Sequence, residues 1–291
     1  MKVTGFTFIR NAEKFDYPII ESIESILPLC TQMIVAVGNS SDNTRAKISN
    51  INSDKIIILD TIWNDNLREG GKVLAEETDK AYNAISNDTD WCFYIQGDEV
   101  IHEKYYNEIL GKMNLYKDDK NIDGLLFKYK HFYGSYDYIA QATKWYKNEI
   151  RILRKKNTIF SYKDAQGFRK KPNEKLCVKP IDAYIYHYGW VKNPYKMNEK
   201  VKNLHKYWHS DEWIENQMKN SEHFNFKDEV DALQRFTETH PLVMQNRIQQ
   251  KNWTFDYDIT FNKLPIKDKI KIYLSENFGI SIGEYKNYKI V

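Results

Sequence analysis

The sequence predicts an α/β fold, with a mostly parallel central sheet flanked by helices and a mainly helical C-terminal extension. Three observations point there. Short apolar runs alternate with helical faces through roughly the first 100 residues, at spacings suited to βαβ units. Polar, glycine-bearing stretches punctuate these runs, at residues 38–44 and 70–71. An aromatic-rich run, Trp91-Cys92-Phe93-Tyr94-Ile95, stops abruptly at Gln96-Gly97-Asp98-Glu99. Such a strand end delivers carboxylates to the edge of a sheet, where open α/β folds bind their ligands.

In order, Val3–Ile9 reads as the first strand, and Ile19, Ile23, Ile26 and Leu27 mark one face of a helix. Residues 33–37 form a second strand that exits into Gly38-Asn39-Ser40-Ser41-Asp42-Asn43-Thr44, with Asp42 placed to cap the next helix. A third strand covers residues 56–59, and Gly70-Gly71 precedes a helix over residues 72–85. The fourth strand, residues 91–95, leads into a helix whose Tyr105, Tyr106, Ile109, Leu110 and Met113 share a face. Residues 125–129, 150–153 and 184–187 read as further strands, without clean alternation with helices. From residue 193 onward the pattern is mainly helical.

Composition narrows the classes. A chain of 291 residues accommodates one large domain or two small ones. With 43 Lys+Arg against 40 Asp+Glu, the net charge of +3 argues against nucleic acid as a partner. Residues 144–180 hold twelve Lys/Arg against Glu149, Asp164 and Glu174. That excess suits a diphosphate or an acidic acceptor, and equally a solvated basic face. Aromatics reach 14%, which fits both a cleft that stacks on sugars or bases and a Tyr-rich core. Cys30, Cys92 and Cys177 lack metal-type spacing and suggest no disulfide framework, so a reducing cytoplasm is expected. No apolar run approaches the ~20 residues that span a bilayer. No transmembrane segment is expected, while peripheral membrane contact stays open.

Several motifs are missing. The sequence has no Walker-type loop, no Gly-x-Gly-x-x-Gly after the first strand, no Gly-x-Ser-x-Gly elbow and no His-Glu-x-x-His. The acidic strand end at Asp98-Glu99 is either a site for a hard divalent cation, which takes one or two carboxylates and fills the rest with phosphate oxygens and water, or a solvated turn.

The order of parts resembles a bacterial family 2-type glycosyltransferase of the GT-A fold. The resemblance is carried by Phe6-Thr7-Phe8-Ile9-Arg10-Asn11-Ala12-Glu13 and the helix with Ser22-Ile23-Glu24-Ser25-Ile26-Leu27. Asn39-Ser40-Ser41-Asp42-Asn43-Thr44 is similar to the family's Gly-Ser-Thr-Asp-x-Thr, and Arg68-Glu69-Gly70-Gly71 stands where such enzymes contact the donor. Residues 91–99 look like the strand leading into the family's Asp-x-Asp element, and Ile185-Tyr186-His187-Tyr188-Gly189-Trp190 resembles its His-containing strand end. The match covers residues 1–210. It implies a nucleotide-sugar-dependent, hexosyltransferase-like enzyme of bacterial glycan biosynthesis. Residues 1–192 would form the catalytic domain, divided into a nucleotide-sugar-binding half (1–115) and an acceptor half (116–192), with 193–291 as the extension.

The resemblance assigns Asp98 and His187 as ligands of Mn2+ or Mg2+, with Mn2+ favoured because imidazole suits it better. Donor contacts fall to Arg10, Asp42, Arg68, Gln96, Glu99, Trp190, Lys192 and Lys200, with Trp190 the aromatic platform and the two lysines facing the diphosphate. Asp164, in Ser161-Tyr162-Lys163-Asp164-Ala165-Gln166-Gly167, is the general base of an inverting transfer, and Glu174 is its reserve. The partners implied are a nucleotide-sugar donor and a glycan, lipid-linked or protein acceptor.

Two positions depart from the family pattern. Gln96 stands where the first Asp is common, and supplies hydrogen bonds but no charge. Val37-Gly38 replaces the acid that reads the base in many members. These departures keep a non-catalytic nucleotide-sugar-binding module as an alternative. A sugar nucleotidyltransferase is the other alternative, although Arg10-Asn11-Ala12-Glu13 lacks the glycines its first loop favours.

Overall fold

The computed structural model describes residues 1–142, 144–217, 223–278, 282–283 and 285–291. The N-terminal strands are β1 (Val3–Ile9), β2 (Gln32–Val37), β3 (Ile56–Asp60) and β4 (Trp91–Tyr94). They lie parallel in the order β3-β2-β1-β4, as the alternating pattern predicts. β1, β2 and β4 are buried on both faces, so period-two alternation sends their side chains to two cores, while β3 at the edge is only half-buried. On one side sit Val3, Ile9, Met33, Val35, Trp91 and Phe93. There they meet Ile19, Ile23 and Ile26 of α1 (Ile19–Ile26). On the other side Phe6, Ile34, Ala36, Cys92 and Tyr94 meet Ala81 and Tyr82 of α3 (Lys72–Asn83). Between them, α2 (Thr44–Ser49) follows β2. Full burial of an aromatic such as Phe93 is worth about 1.5–3 kcal/mol.

Beyond β4 the sheet changes character. β5 (Glu99–Ile101) and α4 (Tyr106–Leu115) lead to β6 (Gly124–Tyr133), β7 (Tyr138–Ala140) and β8 (Asn148–Leu153). A hairpin of β9 (Ile159–Tyr162) and β10 (Gly167–Lys170) precedes the 17-residue β11 (Glu174–Trp190). β8 inserts antiparallel between β4 and β6, while β11 runs parallel to β6 and antiparallel to β5 and β10. The sheet is therefore mixed rather than mostly parallel. Two-sided burial makes parallel and antiparallel strands read alike in sequence, which is why the apolar runs did not separate them.

The stretch after residue 193 is helical only in part. It supplies α5 (Pro194–His205), α6 (Asp211–Gln217), α7 (Gln245–Gln249) and α8 (Ile266–Phe278). Two short strands join them, β12 (Leu233–Arg235) on β7 and β13 (Tyr288–Ile290) on β11. Among the described residues, no helix is long and apolar enough to cross a membrane.

Candidate active site

A cleft of about 410 Å³ opens at the C-terminal ends of β1 and β4. Its floor is the turn that closes β4. Ile95 N–H donates to the Phe6 carbonyl, and Glu99 N–H returns to the Gln96 carbonyl at 3.0 Å. This turn sends Asp98 into the cleft and Glu99 into the protein. Tyr188 N–H donates to the Asp98 carbonyl at 2.8 Å, which joins the turn to the end of β11.

Asp98 Oδ2 lies 3.7 Å from His187 Nε2 and 3.2 Å from Lys200 Nζ. The structure thus brings together both residues assigned as metal ligands, although they are far apart in sequence. The two donor atoms converge over Gly189, where a β-carbon would stand 2.6 Å from His187 Nε2 and 2.7 Å from Asp98 Oδ2. Any larger residue would fill that space. Two ligands on bonds of about 2.1 Å lie at most about 4.2 Å apart, so a pair at this separation can share one hard cation. A carboxylate with one imidazole is also the donor set expected when phosphate oxygens supply the remaining ligands. Among the described residues, no group of three or more His, Cys, Asp and Glu gathers to form a complete metal cage. Burial would raise the Asp98 pKa, but the carboxyl is held well below the usual range, first of all by the Lys200 ammonium beside it.

Across the cleft stands Asp164, at the tip of the β9–β10 hairpin. Its neighbours Lys163 and Ala165 both adopt left-handed backbone, with φ of 55° and 63°. Two such non-glycine residues in one turn are costly and are typical of segments whose surroundings over-determine them. Those surroundings are visible. Gln96 Nε2 donates to the Ala165 carbonyl at 3.1 Å. Gly71, itself left-handed at φ 68°, packs so closely that a β-carbon there would stand 2.6 Å from Asp164 Cβ. Desolvation in this position raises the Asp164 pKa above its ordinary value.

The remaining assignments divide. Arg10 lines the cleft, forms an ion pair with Asp65 and lies over the Trp63 ring, with its Nε buried and without a partner. Lys200 also lines the cleft. Arg68 lines an adjoining hollow of about 180 Å³ and pairs with Asp211 at 2.8 Å. Four residues are engaged elsewhere. Asp42 accepts from Thr44 N–H and Lys14 N–H and so shapes its own loop. Lys192 is buried and donates to the Asp16 carbonyl, and burial pushes its pKa well down. Glu99 is wholly enclosed, bound in two-pronged fashion by Arg151 at 2.8 Å and by Tyr129 Oη at 2.7 Å. Its oxygens have no free edge toward the cleft. Trp190 stacks on Tyr133 and lines a separate hollow with Trp145.

The aromatic wall of the cleft is instead made by Trp63, Tyr146, Tyr207 and Trp208. Trp63 escaped the sequence reading. Its indole packs against the end of β2, where a β-carbon on Gly38 would meet Nε1 at 2.3 Å. The glycine that replaces an acid after strand two therefore makes room for a tryptophan. His131 is the second missed residue: its Nδ1 lies 2.9 Å from His187 Nδ1, and its Nε2 lies 2.7 Å from the Tyr146 carbonyl. Burial pushes its pKa down to about 3, so it is neutral at neutral pH. Nothing in the run Lys128-Tyr129-Lys130-His131 signals this. The meeting depends on the β6–β11 register, which sets His131 opposite His187.

No protein-family model and no curated protein matches the chain. Among solved structures it is similar to S. aureus TarS, with 16% identity and a TM-score of 0.41, over 70% of this chain and 39% of that one. TarS 1-349 in complex with UDP gives 15% identity and 0.41, over 75% of this chain and 69% of that one. Glucosyl-3-phosphoglycerate synthase from Mycobacterium tuberculosis, in complex with Mn2+, UDP and phosphoglyceric acid, gives 19% and 0.29, over 45% and 43%. The chain thus spans well under half of the full TarS chain.

Proposed function

We propose that this protein is a glycosyltransferase that moves a sugar from a nucleotide-sugar donor to an acceptor hydroxyl, with metal assistance and inversion at the anomeric carbon. One observation carries the reading: Asp98, with His187 Nε2 3.7 Å from its Oδ2, lines the same cleft as Asp164 in its constrained turn. Bond breaking leaves negative charge on the departing diphosphate, and bond making needs a base on the acceptor side. The cleft has a group for each.

Asp98 and His187 would hold Mn2+ or Mg2+, which when bound stabilises the departing diphosphate as a Lewis acid. Lys200, with its ammonium beside Asp98, adds fixed positive charge at the same wall. Arg10 lines the same cleft and brings a guanidinium to the nucleotide side. Asp164 accepts the acceptor hydroxyl proton as that oxygen attacks the anomeric carbon and the bond to the diphosphate breaks. Partial burial strengthens it as a base. Trp63, Tyr207 and Trp208 supply ring faces for the base and sugar. The acceptor is a glycan, a lipid-linked sugar or a protein.

The test is calorimetric titration of UDP and GDP with and without Mn2+, followed by assay of UDP- and GDP-sugar hydrolysis. Metal-dependent binding with slow donor hydrolysis supports the transferase. Metal-independent binding without turnover would replace it with a binding module.

A further inference from the structure

We propose that His131 is a positioning residue that locks His187 as the Nδ1–H tautomer, so that a bare Nε2 lone pair faces Asp98. The consequence for cation binding rests on the function proposed above. The premise rests on a hydrogen-bond chain within the protein alone.

The chain starts at a group with a single role. A backbone carbonyl only accepts, so the Tyr146 carbonyl, 2.7 Å from His131 Nε2, requires an N–H at that nitrogen. A neutral imidazole has one N–H, which leaves His131 Nδ1 as an acceptor. His187 Nδ1 lies 2.9 Å from it and must therefore donate. Neutral His187 then carries no proton on Nε2. That nitrogen stands 3.7 Å from Asp98 Oδ2, which is also an acceptor. Two acceptors then face one another beside Gly189; Lys200 Nζ reaches Asp98 Oδ2 at 3.2 Å, and a cation bound between the pair would satisfy His187 Nε2 as well.

The surroundings hold the relay in place. His131 stacks on Tyr129 at 5.3 Å and meets Tyr146 edge-on at 4.6 Å. Trp145 lies 5.0 Å away. These rings keep His131 buried, which favours its neutral form. In-register pairing of β6 with β11 fixes the separation of the two histidines. The opposite tautomer of His187 would set two lone pairs against each other at Nδ1, or leave the Tyr146 carbonyl unpaired. Ligating histidines generally use their second nitrogen in this way, although usually toward a carboxylate or carbonyl. Here a second histidine passes on the preference of a carbonyl.

The test uses the full chain, metal-free, labelled with 15N. Long-range 1H–15N spectra at neutral pH report the tautomer of each of the seven histidines. Expected are His187 as Nδ1–H and His131 as Nε2–H. His131→Phe should shift His187 toward Nε2–H and weaken Mn2+ binding in the presence of UDP by about 10–100-fold. His131→Asn, whose Oδ1 can accept near the Nδ1 position, should restore most of both. Finding His187 as Nε2–H in the unmodified protein overturns the proposal, and needs no variant to fold. An unchanged tautomer in His131→Phe overturns it as well. If the tautomers are as inferred and Mn2+ does not bind, the relay stands and the cation reading falls.

Discussion

The side-chain amide of Gln96 donates to the backbone carbonyl of Ala165 across 3.1 Å, tying the end of β4 to the turn that carries Asp164. A carboxylate at position 96 could not make this bond, because ionised Asp and Glu only accept. The departure from an Asp-x-Asp pattern therefore has a local reason. Gln96 serves the Asp164 side of the cleft, and Asp98 alone of the two positions carries charge.

Gln96→Glu keeps the size and removes the donor. Leaving the Ala165 carbonyl facing a carboxylate costs about 1–3 kcal/mol in the placement of the turn. Donor turnover, read as nucleoside diphosphate release from a sugar-nucleotide panel, should fall about tenfold or more in kcat with a smaller change in KM. An unchanged kcat would separate Gln96 from the Asp164 turn.

Asp164→Asn should lower kcat by about 10²–10⁴-fold, the usual scale of a lost general base. Nucleotide affinity should change little, because on this reading the diphosphate is held by Asp98, His187 and Lys200 rather than by Asp164. The pH profile gives the sign. Asp164 must be ionised to accept a proton, and its pKa is raised by desolvation. Activity should therefore fade, as pH drops, at a higher pH than an exposed aspartate would allow. A full loss of nucleotide binding in the variant, or an acid limb at the ordinary aspartate pKa, would count against the role.

Arg151→Met should destabilise the protein by about 3–5 kcal/mol, the range for stranding one partner of a buried ion pair. Glu99 and Arg151 are both fully enclosed, at 0% exposure. Without the guanidinium, Glu99 keeps only Tyr129 Oη and Gln96 N–H. Urea unfolding measures the difference, and a loss under about 1 kcal/mol would contradict a structural role for Glu99.

Glu149 offers a pH-dependent counterpart. Its Oε2 is buried without a partner, and burial pushes its pKa from 4.5 up to about 8. The folded protein thus holds a proton there that the unfolded chain releases. This contribution to stability is full below pH 4.5 and is lost as pH rises through about 8. Glu149→Gln should flatten that decline, so that the variant gains in melting temperature relative to wild type between pH 5 and 8.5. Parallel melting curves across this range would show that Glu149 ionises as it does in the unfolded chain.

The parts legible in sequence were those specified locally. Trp91 to Tyr94 read as a buried strand because the run is apolar and short, and Gly97 marked where it ends. Asp98 and His187 came from the resemblance in their order along the chain, and folding brought them together. Other features depend on packing between distant segments. β11 was visible only near His187, because Lys179-Pro180 and Asp182 interrupt its pattern, at the point where its register with β6 shifts. The resemblance makes Trp190 the aromatic platform, yet Tyr207 faces the cleft and Trp190 the Tyr133 ring. An aromatic in sequence does not say which side of a seam it fills. Glu99 next to Asp98 shows the same limit, since one residue step in a turn sends its side chain inward to Arg151.

The most direct test of the Asp98–His187 centre is calorimetric titration of UDP and GDP into wild type and Asp98→Asn, each with Mn2+ and with chelator. The expected result is that at least one diphosphate binds wild type ten- to a hundredfold more tightly with Mn2+, and that Asp98→Asn abolishes this gain while keeping the weaker metal-free affinity. Equal affinity of wild type with and without Mn2+, or an Asp98→Asn variant that keeps the full gain, would contradict it.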